Sequence, residues 1–320
     1  MRTAPGFVWT GGTNSEVREV QLPDDRPDWV RLAVAYTGLC GTDLHVLAGE
    51  HVRAKPGSVL GHEFVGRLVS DGTPVFADPM VRCGHCDACQ RGLRTICANL
   101  TAVGIDYPGA ACPEVLVPAA NLFPLPSTMD LRAAAIIEPV AVAVRAVRKS
   151  LLGNGMRAHV LGAGPIGCLL ALVAQRTGAT VTLSEPAEHR ARAATDLGLT
   201  LAAGPTPDAD VVFDATGVPA VAAQACQWVR GGGTLMIVGA YPPQPVGFDL
   251  LRVMFAELTV IGSRIYDRDD ITAAIDLVAT DPGRLTDVVS HVLPLSRAKD
   301  AVALLRAGQA MKILLNPTES

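Results

Sequence analysis

Aromatic residues make up only 4% of this 320-residue chain and charged residues only 18%. The net charge of -4 leaves no basic surplus, which argues against nucleic acid as a partner. No apolar stretch reaches the ~18 to 20 residues that span a bilayer. The opening MRTAPGFVWTGGTNSE also lacks an apolar run of signal-peptide length. These absences lead to the expectation of a cytoplasmic protein that works on neither membrane nor nucleic acid. Lysine is scarce as well, four against twenty-three arginines, a bias that fits genomic nucleotide composition better than function.

What the chain has is apolar content, 49%, over a length sufficient for two domains with substantial cores. Three regions separate by pattern. Residues 1–140 are rich in Pro and Gly and carry short β-like runs such as VRLAVAYT, FVGRLVS and EVLVPA, which suit a compact β-rich domain. Residues 141–263 alternate apolar strands with helices, as in MRAHVLGAGPIG followed by CLLALVAQRTGA. That alternation means βαβ units and a parallel sheet. Residues 264–320 are too short for a domain of their own and are expected to return to the first. The chain shows no internal repeat and no low-complexity segment.

Four of the eight cysteines fall within RCGHCDACQRGLRTIC, residues 82–97. Disulfides are rare in a reducing compartment, which favours a metal. Cys83, Cys86 and Cys89 are each three apart and Cys97 follows, so short turns aim backbone amides at thiolate sulfurs and the fourth thiol closes a tetrahedron suited to zinc. A full tetrahedron has no open position, so such a site is structural, a clip for a lobe without a core. An iron-sulfur cluster is the rival metal reading, and free or disulfide-bonded thiols are the remaining alternatives.

VLGAGPIG places Gly162, Gly164 and Gly167, with Pro165 and Ile166 between the last two, after a strand and at the head of a helix. Glycines there permit a tight turn and close approach to a pyrophosphate, and the helix N-terminus adds partial positive charge. Glu185 lies 23 positions after Gly162 at the end of the next apolar strand, where a carboxylate accepts from the adenosine ribose hydroxyls and repels a 2'-phosphate. The plain alternative is a tight turn and a solvated acid. Arg190 and Arg192, on the helix that follows, are the cations to compensate a phosphate if one binds.

Reacting groups must come from the first region, because a nucleotide fold alone defines no reaction. GLCGTDLH offers Cys40, VLGHEFVG offers His62, and IIEPVAVAV sets Glu138 in an apolar run. Three mixed ligands with an open position are the pattern of catalytic zinc. Each has an ordinary explanation when taken singly: a small core cysteine, a turn histidine, a helix N-terminal charge.

The order Cys40-Gly-Thr42-Asp43-Leu-His45, Gly61-His62-Glu63, the four-cysteine lobe, Glu138-Pro139 and Gly162-Ala-Gly164-Pro-Ile-Gly167 resembles the zinc-dependent medium-chain alcohol dehydrogenases over nearly the whole chain. Glu138, where simple alcohol dehydrogenases carry cysteine, is more like the sorbitol, threonine and sugar or cyclitol dehydrogenase branch. The resemblance implies an α/β fold with a β-rich GroES-like catalytic domain and a doubly wound Rossmann cofactor domain. It makes Cys40 and His62 zinc ligands, with Glu63 and Glu138 both open as the third, and Asp43 the residue that orients His62. Thr42 would touch the substrate oxygen and pass its proton through the cofactor ribose to His45. Lys312 matches a position near the cofactor phosphates. Two zinc ions per chain, NAD in preference to NADP, a polar secondary alcohol or ketone substrate and a homodimer or homotetramer complete what is implied. The alternatives are threonine or a simple alcohol as substrate, a zinc-free reductase of the same plan, and a silent cofactor-binding scaffold.

Overall fold

The structure is a computed structural model that describes residues 2–204 and 207–319. Contacts divide it into two compact units. One takes in the chain up to Glu138, Ile275–Pro282 and the chain from Val289; the other is Pro139–Ala274 with Gly283–Val288.

The first unit is built on a seven-stranded sheet around one long strand, Trp29–Leu39. That strand pairs antiparallel with Glu63–Leu68, Glu114–Pro118 and the C-terminal Lys312–Asn316. Its apolar residues alternate, so Leu32 and Val34 turn one way and meet Phe64, Val75, Val115 and Val117 in a buried core. The register sets Gly38 opposite both Glu63 and Leu314, which brings three distant segments to one end of the sheet. A Cβ on Gly38 would collide with the Glu63 carboxylate and crowd the Lys312 side chain, so glycine there leaves room for both.

The second unit holds a five-stranded, all-parallel sheet in the spatial order Thr180–Ser184, Arg157–Leu161, Ala209–Asp214, Val229–Ile237, Thr259–Gly262. Apolar residues such as Val160, Leu161, Val211, Val212 and Phe213 are buried, as expected of strands in a parallel sheet. The strand order reverses at Arg157–Leu161, and ligands of open α/β sheets bind beyond the carboxyl ends of strands at such a point. In the segment LTLAAGPTPDADVV, Leu201 forms an isolated parallel bridge to Leu183 of the edge strand; Pro205 and Thr206 lie outside the described residues.

The division differs from the sequence expectation at the C-terminal end. The second unit runs on to Ala274, so the divide falls inside the helix Arg268–Thr280 and not at residue 263. Asp270 ties this part of the helix to the second unit. It is 1% exposed and bridges Arg145 at 3.0 Å and Arg148 at 2.8 Å, fixing the first turn of that helix to the helix Ile137–Ser150. Among the described residues no helix is long and apolar enough to cross a membrane.

Candidate active site and cofactor loop

Cys40 follows the last residue of the central strand and caps the helix Gly41–Leu47. Its sulfur accepts from the Thr42 amide at 3.2 Å, and its own amide donates to the Asp43 carboxylate at 3.0 Å. His62 directly precedes the strand Glu63–Leu68, so the antiparallel register carries it and Glu63 to the same sheet end. Cys40, His62 and Glu63 each offer a ligand atom, all within 4.8 Å of one another.

This pocket of charge is nearly dry: Asp43, His62 and Glu63 are all buried. His62 Nε2 stands 2.9 Å from the Cys40 sulfur, and Nδ1 stands 3.4 Å from Asp43. Burial alone would lower the imidazole, but the Cys40 sulfur and the Asp43 carboxylate outweigh it and raise His62 well above its ordinary value. Asp43 is held low, burial being overcome by His62 and by the Cys40 amide. His62 Nδ1 and Asp43 Oδ1 are buried without a hydrogen bond. A soft sulfur, an imidazole nitrogen and a carboxylate oxygen at these separations, with a carboxylate behind the imidazole, fit a zinc ion.

Glu63 carries an ion pair with Lys312, and both side chains are buried. Burial lowers Lys312, but Glu63, Cys40 and Glu138 raise it above the ordinary lysine value. The sequence expectation set Lys312 near the cofactor phosphates; the structure shows its ammonium paired with Glu63. It belongs to the strand Lys312–Asn316 of the first unit, and its charge is committed to Glu63. Glu138 was the other candidate for the third ligand. It is buried in the first turn of the helix Ile137–Ser150, close enough to act on Lys312 but outside the group formed by Cys40, His62 and Glu63.

Thr42 and His45 lie three apart on the helix Gly41–Leu47, hence on one face. His45 is exposed and its Nδ1 is 2.8 Å from Glu50. His51 was not singled out by the sequence. Burial holds its imidazole below the ordinary value, and Arg53, His62 and His45 add to that. Its Nδ1 accepts from the Ala54 amide at 3.2 Å. A lone histidine in GEHVR carries no spacing signal.

The four cysteines of the lobe converge within 4.8 Å. The sulfurs of Cys97 and Cys83 are 3.5 Å apart and those of Cys86 and Cys97 3.9 Å, far beyond the ~2.05 Å of a disulfide. Amides point at the sulfurs: Cys83 N–H to Cys97 at 3.4 Å, Ala98 N–H to Cys86 at 3.5 Å. Hydrogen bonds from the His85 and Cys86 backbone lower Cys83 to about 5, whereas burial and the neighbouring thiols push Cys89 up to about 12. Donors aimed at sulfur favour thiolate, the form that ligates metal.

In the second unit Gly162, at φ +92°, turns the chain from the strand Arg157–Leu161 into the helix Pro165–Gln175. A side chain at Gly167 would strike the Gly162 carbonyl, so this contact fixes the helix against the turn. At Gly164 a Cβ would meet nothing within 4 Å, and Pro165 opens the helix, leaving open space at the N-terminal amides where a pyrophosphate fits. Glu185 braces this loop: one oxygen accepts from the Ala163 amide and the other from the Ala187 amide, both at 2.9 Å. Arg190 is exposed on the helix Glu188–Asp196.

Comparison with known proteins agrees with this geometry. Residues 26–127 match the family model described as "Alcohol dehydrogenase GroES-like domain" and residues 165–280 the one described as "Zinc-binding dehydrogenase". A 2-dehydro-3-deoxy-L-galactonate 5-dehydrogenase of Pseudoalteromonas atlantica is 36% identical, covering 89% of this chain and 91% of that one. An L-threonine 3-dehydrogenase of Caldanaerobacter subterraneus is 30% identical over 95% of each. A Sinorhizobium meliloti crystal structure, described as a candidate zinc-binding dehydrogenase bound to NADP, superposes with a TM-score of 0.91 at 32% identity. It covers 99% of this chain and all of its own.

Proposed function

The chain belongs to the zinc-binding alcohol dehydrogenase family that joins a GroES-like domain to a nicotinamide-binding domain, and from that premise we propose a secondary hydroxyl flanked by further hydroxyls as its substrate. The reaction is hydride transfer between a nicotinamide cofactor and an alcohol of a polyol or sugar relative. A sugar acid, a polyol or a cyclitol carries the proposed group.

The observation that carries the substrate class is the buried charge beside Cys40 and His62. Glu63, Lys312 and Glu138 place buried charge on that side of the site, where a hydroxylated substrate can add hydrogen bonds that an alkyl chain cannot make. Cys40, His62 and Glu63 would hold the catalytic zinc, and Cys83, Cys86, Cys89 and Cys97 the structural one. Zinc in the first site supplies Lewis acidity, which lowers the pKa of a bound alcohol. Asp43 holds the His62 ring in one orientation, and Lys312 offsets the Glu63 charge. Thr42 would relay the substrate proton, giving up its own hydroxyl proton by way of the cofactor ribose to His45, which is exposed and would release it to solvent.

For the cofactor the proposal is NAD, because Glu185 is fixed at the end of the strand Thr180–Ser184 where a 2'-phosphate would meet its charge. For the assembly it is a homodimer joined at the edge strand Thr259–Gly262. Leu250, Leu251, Met254 and Phe255 of the neighbouring helix are exposed, and a second copy would cover them. Light scattering that returned a monomer would count against this assembly.

L-Threonine is the second reading, favoured by the Caldanaerobacter relative. Its carboxylate would need a cation, and Lys312 is already committed to Glu63. Initial rates on galactonate-type sugar acids, sorbitol, myo-inositol, threonine, ethanol and benzyl alcohol, each with NAD and with NADP, test the proposal. A hydroxylated substrate with NAD is expected to lead the simple alcohols by at least about tenfold, ~1.4 kcal/mol. A lead for ethanol or benzyl alcohol would defeat the substrate class, and a lead for NADP the role of Glu185.

A further inference from the structure

Asp214 ends the strand Ala209–Asp214 and is completely buried, yet none of the site residues described above uses it. One carboxylate oxygen accepts from both the amide and the hydroxyl of Thr216, at 2.9 and 2.7 Å. The other accepts from the Tyr241 phenol. The Asp214 carbonyl accepts the amides of Val238 and Gly239, each at 2.9 Å. One residue thus ties together the loops that leave two adjacent strands, Ala209–Asp214 and Val229–Ile237.

These loops interlock further, and they border the cofactor turn. A Cβ on Gly217 would strike the Ala240 carbonyl, and one on Gly239 would strike the Gly217 backbone. The Thr216 methyl lies 3.0 Å from where a side chain on Gly162 would begin. The topology orients what binds there. Glu185 marks the adenosine side, at the edge strand Thr180–Ser184, and the Gly162 turn takes the pyrophosphate. The remaining half of a dinucleotide crossing the switch point extends toward the carboxyl ends of Ala209–Asp214 and Val229–Ile237, where Asp214 and Tyr241 stand.

We propose that Tyr241, acting through Asp214 and Thr216, is a positioning residue for the nicotinamide half of the cofactor. The inference rests on the dinucleotide reading of the Gly162 loop and deepens it. The buried carboxylate holds both loops by hydrogen bonds to a charged acceptor, among the stronger kind in proteins. Released from the phenol, the loop after Val229–Ile237 keeps its backbone bonds to Asp214 but loses the side-chain bond that fixes Tyr241.

Equilibrium binding of NADH and of ADP-ribose, which lacks the nicotinamide, to the full chain and to Tyr241→Phe tests this. Tyr241→Phe is expected to weaken NADH by about tenfold, the loss expected for one hydrogen bond to a charged acceptor, with ADP-ribose affinity unchanged. Thr216→Val keeps the backbone donor, so a smaller loss in the same sense is expected, and it stands in should Tyr241→Phe fold poorly. Wild-type affinity for NADH in both variants would overturn the proposal, as would an equal loss for both ligands. A wild-type chain that bound neither ligand would overturn the dinucleotide reading itself, and with it this one.

Discussion

Lys312 is an ammonium group with almost no water around it, 2% exposed, and its stability there depends on Glu63. Removing one member of a buried ion pair leaves the other desolvated and uncompensated, at about 3–5 kcal/mol. Lys312→Met is therefore expected to lower the unfolding free energy by that order in a denaturant titration. The double variant Lys312→Met with Glu63→Gln should recover part of it; equal losses in both would contradict the pairing. Sequence could not supply this partner, because 249 positions separate the two residues and nothing local marks a lysine in MKILLNP. Cys83, Cys86, Cys89 and Cys97 were legible for the opposite reason: their geometry follows from spacing within one short loop. His62 with Cys40 lay between these cases, each ambiguous alone and joined only by the register of Gly38 with Glu63.

At the scale of the element, the parallel sheet was legible from its apolar runs. A buried polar residue within one of its strands was not. His159, 3% exposed in Arg157–Leu161, sits with its ring nitrogens 2.8 Å from the Thr182 hydroxyl and 3.0 Å from that of Ser184. Burial lowers the imidazole to about 4, against a small opposing effect of Asp208. A folded-state value below the ordinary 6.5 means that the unfolded chain binds the proton more tightly. The folded state is then fully favoured above pH 6.5 and loses stability as pH falls toward 4, by up to ~3 kcal/mol. Unfolding free energies across that window should fall less steeply in His159→Gln than in the wild type. Identical slopes would show that the ring is not responsible. The division of the helix Arg268–Thr280 between units was not legible, because Asp270 in its first turn meets Arg145 and Arg148 more than a hundred residues away.

At the scale of the whole molecule, the chain brings together two groups of side chains able to hold a metal, and they differ in character. The lobe offers four thiols, which would close a tetrahedron around an ion; Cys40, His62 and Glu63 offer three ligands, which would leave a position for substrate. The central claim is that the three-ligand site is where the chemistry happens. The most direct test is zinc per chain, by elemental analysis through a graded chelation, with turnover measured on the same samples. A closed thiolate site releases its metal last, so turnover should fall in step with the first equivalent lost and vanish with about one zinc per chain remaining. Full turnover in chains reduced to one zinc, held by the cysteine lobe, would contradict the account.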